Sequence, residues 1–106
     1  MNKEPSSIKK SLGDFAPKMV QLTDDVLFGD VWERPDLAPR DRSLITVAAL
    51  VAGGNAEQLP FHLNKAKENG LSESEIVETL THLAFYTGWP RALSAINVAK
   101  ETFKKQ

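Results

Sequence analysis

Glu78, His82 and Tyr86 stand at successive four-residue spacings, so on a helix a carboxylate, an imidazole and a phenol share one face. Imidazole is the side chain most readily tuned for proton transfer near neutral pH, which makes that row a candidate acid–base site. The other histidine, His62, falls in a second helical stretch with Gln58 one turn before it on the same face. Glu57 lies about 140° round that helix and need not share it. Arg40, Arg42 and Arg91 can each grip a carboxylate through paired hydrogen bonds. Plainer readings stand beside these. A lone histidine in an apolar helix is more often a packing residue than a catalyst. Trp32, Phe61, Phe85 and Trp89 suit core or subunit contacts as well as a substrate box, and arginines at helix starts suit exposed ion pairs. A metal held by the two histidines with Glu57 or Glu78 matches no HExxH-type spacing, and none is expected.

The elements that must position these groups are helices. Ile8, Leu12 and Phe15 permit a short first helix ending near Gly13. Pro17 suits the first turn of a second, which Met19, Val20, Leu22, Val26, Leu27 and Phe28 continue to Gly29. Asp30 to Arg40 reads as a loop pinned by Trp32, with Pro35 biasing Arg34 towards an extended backbone. Pro39 opens a third helix, with Ala38 a poor cap before it. From Ser43 to Val51 apolar residues cover its whole circumference, which predicts a central helix covered on nearly every side.

Gly53-Gly54 ends it, and Asn55 is placed to cap a fourth helix from Ala56 to about Asn69, bent near His62 by Pro60 in its second turn. Ser72 with Glu75 makes a capping box for a fifth, whose core is Ile76, Val77, Leu80, Leu83 and Ala84, running to Thr87. A last helix, Arg91 to about Phe103, buries Ala92, Leu93, Ile96, Ala99 and Phe103. The fold class is all-α, a bundle of five to six helices, read as one domain over residues 1–106 with residues 1–6 frayed.

Composition narrows the function. Thirteen basic against fourteen acidic residues leave a formal charge of −1 with no basic stripe, so no nucleic-acid partner is expected. No apolar run reaches the roughly 18 residues that would span a bilayer, and the start MNKEPSSIKK lacks an apolar leader, so no membrane partner is expected and the protein reads as cytoplasmic. There is no cysteine, which removes thiolate chemistry and thiolate metal sites together.

The stretch from Arg40 to Phe103, and within it EQLPFH at Glu57 to His62 and HLAFYTGWP at His82 to Pro90, resembles the carboxymuconolactone decarboxylase family, which has the alkylhydroperoxidase D-like helical fold. The resemblance spans Leu27 to Phe103. The peroxidase branch of that fold uses a glutamate, a CxxC pair and a histidine four residues after the second cysteine. With that histidine on His62, Gln58 and Asn55 take the cysteine positions and Ser43 the glutamate position. Without a thiolate there is no peroxidase nucleophile.

The decarboxylase branch removes CO2 from a carboxylated γ-lactone in aromatic-compound degradation, without a cofactor. By that resemblance His62 is the proton donor, His82 and Tyr86 polarise or orient, Arg42 anchors a carboxylate, Glu57 and Gln58 orient His62, and Trp89 lines the substrate pocket between the two histidine-bearing helices. The resemblance favours a carbon–carbon lyase acting on a small carboxylate or lactone. A non-catalytic binding or assembly protein is the other reading, because a fold does not determine a function. The family resemblance, two tryptophans and 42% hydrophobic residues also imply a homo-oligomer, dimer-based and extending to a trimer or hexamer.

Overall fold

A computed structural model describes residues 6–105; the expectation of a frayed start falls, apart from Ser6, outside them. The described residues form six α-helices and no strand, and the chain divides into two compact units, one up to Leu37 and one from Ala38.

In the first unit, α1 (Ser7–Leu12) is capped by Ser6, whose hydroxyl oxygen accepts the Lys9 N–H at 3.1 Å and donates its proton to Asp24 at 2.9 Å. Helix α2 (Pro17–Gln21) starts on its proline as expected, but the α-winding stops at Gln21 and residues Leu22–Phe28 continue as a wider π-helix. The Thr23 hydroxyl donates to the Met19 carbonyl at that point, the side-chain back-bonding that bends helices. A single 3-10 turn, Val31–Glu33, follows, and its Trp32 is buried with its ring 5.8 Å from that of Phe28.

The second unit is a four-helix bundle of α3 (Pro39–Gly53), α4 (Leu59–Glu68), α5 (Glu73–Thr87) and α6 (Trp89–Lys104). Helix α3 packs on α4, α5 and α6, and α6 also packs on α4 and α5. Helices α4 and α5 are left on the far diagonal. Val47, Val51, Leu59, Leu63, Ile76 and Leu80 form the buried centre, with Ala95 and Ala99 of α6 against them.

Three expectations are corrected here. Helix α3 is not covered all round: Ser43, Val47 and Val51 are buried, but Ile45 is 58% exposed and Ala49 and Ala52 lie open, because α4, α5 and α6 of this unit all pack on its inner side. Val77 and Leu93, expected in the core, are exposed for the same reason on α5 and α6. Helix α4 starts at Leu59, not Ala56, with Gln58 instead of Asn55 in the capping position. Pro60 therefore sits in the first turn, where its missing N–H costs nothing and imposes no bend.

Ends follow the local chemistry elsewhere. Gly54 closes α3 at φ +70, a conformation that glycine adopts without strain. The Arg91 guanidinium donates to the Ala52 carbonyl in the same last turn, and Arg40 pairs with Glu75, so both of these arginines are engaged in structural contacts. The Ser72–Glu75 capping box is formed in both directions, at 3.1 and 3.0 Å. Ser72→Ala is expected to lower stability by about 1 kcal/mol, the usual worth of such a cap. An unchanged urea midpoint would show that α5 does not depend on it.

Candidate functional site

The α3–α4 seam carries His62. Asn69, at the end of α4, donates through Nδ2 to Ser43 Oγ at 3.0 Å and to the Pro39 carbonyl at 3.5 Å, so the end of α4 lies against the start of α3. His62 stands two turns before Asn69 on the same side of α4, which turns it towards α3 at about 10 Å further along the seam. Arg42 is the neighbour of Ser43 and so lies at the Asn69 end, half-buried, with its carbonyl accepting the Thr46 hydroxyl at 2.7 Å.

His62 is itself half-buried, and burial pushes its pKa below the ordinary 6.5; the positive charge of Lys65 pushes the same way. The imidazole is therefore predominantly neutral at pH 7 in the free protein. Lys65 is the residue that spacing could have revealed, being three positions after His62 and hence its neighbour on the helix. Gln58 and Glu57 are exposed in the turn that enters α4, and the Gln58 carbonyl accepts the His62 N–H at 3.5 Å.

His82 occupies a different place. With Glu78 it borders an open cavity of about 390 Å³ on the α3–α5 seam, floored by Leu44, Ile45, Ala48 and Leu83. Its ring lies 5.0 Å from that of Tyr86 at 31°, so the expected row is formed, but it is exposed, Tyr86 by 76%. Trp89 is exposed by 56%; it lines a small hollow with Thr81 and Leu93 and meets the Phe85 ring edge-on at 5.4 Å. The two histidines thus belong to diagonal helices and different seams, and the cavity that holds His82 does not include His62. Among the described residues no three histidine or carboxylate side chains gather as a metal would require, and no helix is long and apolar enough to cross a membrane.

Comparison with known proteins adds to this geometry. Residues 17–101 match the profile of the carboxymuconolactone decarboxylase family. The chain is 35% identical over 95 residues to the 4-carboxymuconolactone decarboxylase of Acinetobacter baylyi, covering 90% of this chain and 71% of that protein. It is 34% identical over 82 residues to a nitrosuccinic acid decarboxylase of Metarhizium robertsii, covering 77% of this chain and 57% of that one. An uncharacterized 15.0 kDa protein of Paracoccus denitrificans is 29% identical over 84 residues, 77% of this chain and 63% of its own length. The chain thus spans less than two-thirds of the latter two relatives.

Proposed function

The chain belongs to the carboxymuconolactone decarboxylase family, and from that membership we propose that it decarboxylates a small carboxylated lactone or unsaturated acid without a cofactor, with His62 as proton donor. Two relatives named as decarboxylases support the reaction class. The observation that supports the assignment to a residue is the half-buried His62, with the charge of Lys65 acting on it.

The chemistry divides among these groups. Arg42 and Lys65 hold the substrate carboxylates and offset negative charge as it develops on the electron-accepting carbonyl. The bond between carbon and the departing carboxylate breaks, its electron pair moves into the conjugated system, and CO2 leaves. His62 then delivers a proton to carbon, with Gln58 and Glu57 orienting the imidazole. Because His62 is neutral in the free protein, its proton must be taken up on binding. A substrate carboxylate laid against it favours the imidazolium and reverses the effect of burial and Lys65.

That sequence fixes the sign of the pH dependence. The constant kcat/KM reports the free protein, so for a proton donor it falls tenfold per pH unit above the lowered pKa of His62. The constant kcat reports the complex, where the bound anion has raised that pKa, and it stays level to higher pH. Measuring CO2 release from a carboxylated γ-lactone across pH 5 to 9, a range chosen to bracket an ordinary histidine, checks both limbs. A kcat/KM that rises with pH would make His62 a base instead. If carboxylated lactones and unsaturated diacids gave neither turnover nor a thermal shift, the non-catalytic reading would take its place.

A further inference from the structure

The His62 site leaves Arg91 out, although its guanidinium can grip a carboxylate. Arg91 lies in the first turn of α6, directly after Pro90, at the mouth of a hollow of about 200 Å³ bounded by the end of α3, the turn entering α4 and the start of α6. Val51, Leu59 and Ala95, all buried, form the base of that hollow with half-buried Leu50. Arg91, Ser94 and Asn55 stand exposed at its edge. Among the described residues neither histidine and no Asp or Glu lines it.

The guanidinium is held in place at that edge. It lies across Gly54, its central carbon 3.8 Å from the position a Cβ would take there, and it donates to the Ala52 carbonyl. That bond uses one N–H; a carboxylate takes two in parallel, and the guanidinium keeps enough donors for both. No Asp or Glu among the described residues pairs with it. A fixed cation beside an apolar hollow, with no anion of its own, is complementary to a molecule with an anionic end and an apolar body. The volume sets the size of that body: a cavity of about 150 Å³ lined by apolar side chains takes up benzene, so this hollow holds a single ring or a branched chain of similar bulk.

We propose that the α3–α6 hollow is a second small-molecule site, which takes a monocarboxylate whose apolar body is about the size of a benzene ring. The body rests on Val51, Leu59 and Ala95, and the carboxylate pairs with Arg91 beside the Ser94 hydroxyl. Neither half suffices alone. An exposed arginine binds a carboxylate weakly in water, where solvent and salt screen the pair, and an apolar base does not select an anion. Together they favour such an acid over acetate, which lacks the body, and over the matching amide, which lacks the charge. Because the Ala52 carbonyl already fixes Arg91, little side-chain freedom is lost on binding.

The hollow does not include His62, so the test needs no turnover. Benzoate titrated into the isotopically labelled full chain should shift the backbone amide resonances of Gly54, Asn55, Arg91 and Ser94 saturably, with a dissociation constant on the order of 1 mM, within reach of so small a ligand. Acetate and benzamide should bind at least about tenfold more weakly, and so should benzoate to Arg91→Gln, as the loss of a charge-assisted pair requires. Ser94→Leu fills the hollow from an exposed helical position and should abolish binding with Arg91 intact, so the question is still decided if Arg91→Gln disturbs the end of α3. In His62→Gln the benzoate titration should be unchanged.

No saturable shift at these amides, or equal affinity for benzoate and benzamide, would overturn the proposal. So would full benzoate binding by folded Arg91→Gln or Ser94→Leu. Shifts that vanish in His62→Gln would place the acid in the decarboxylation site and remove the second one.

Discussion

Replacing His62 with glutamine is expected to slow CO2 release from the preferred acid by about 10²–10⁴-fold, the range for loss of a positioned proton donor. Glutamine keeps the size and a hydrogen-bonding end but cannot give up a proton at neutral pH, so the loss should fall on kcat far more than on KM. The same substitution removes a half-buried imidazole whose protonation the fold opposes, so the folded chain should remain intact. Stabilisation by bound acid should persist in the variant if Arg42 and Lys65 hold the carboxylates. Full activity in His62→Gln, with the protein folded, would remove His62 from the mechanism. Equal loss in His82→Gln would argue that the two seams act on one substrate.

The largest effect on stability is expected at Leu80. It is 0% exposed at the centre of the bundle, and Leu80→Ala would leave a cavity costing about 2–5 kcal/mol. Against the roughly 5–15 kcal/mol that holds a typical domain folded, that is a substantial fraction. Val77→Ala, on the same helix, should cost below about 0.5 kcal/mol, because Val77 faces outward and a surface change of this kind is near neutral. Urea unfolding of the two variants side by side measures the contrast. Equal losses would mean that Val77 is packed after all.

The contrast between Leu80 and Val77 shows what periodicity can and cannot tell. Spacing marked both as apolar positions of one helix, and nothing local distinguishes the face that finds a neighbour from the face that does not. Ile45 and Leu93 were misjudged in the same way. Signals that depend on a few adjacent residues were legible: the Ser72–Glu75 box, the glycine at the end of α3, the prolines opening α2 and α3. Pro60 misled because a proline permitted in a first turn was assigned to a second, and the start of α4 was misplaced by three residues in consequence.

The candidate site was legible to the same degree. The row of Glu78, His82 and Tyr86 follows from i+4 spacing within one helix, and the structure has it. That His62 and His82 would fall on diagonal helices depends on how four helices pack, which no spacing within a helix encodes. Lys65 was within reach of the same reasoning that found Gln58. A lysine near the end of a helix reads equally as a solvated charge complementing the helix dipole, so spacing alone does not single it out.

Ser43 is 0% exposed and its hydroxyl accepts from Asn69, which ties the two ends of the α3–α4 hairpin together. By the family resemblance it occupies the position of the peroxidase glutamate. Asn55 and Gln58, at the cysteine positions, are exposed and open to replacement one at a time. A glutamate at Ser43 would instead force a longer, charged group into space closed around a hydroxymethyl and would strand the Asn69 amide. Placing two thiols at positions 55 and 58 is thus a small structural change, and placing an acid at position 43 is not. The bundle thus filters substitutions by depth, admitting new side chains in the turn before α4 and refusing them at the seam where Ser43 sits.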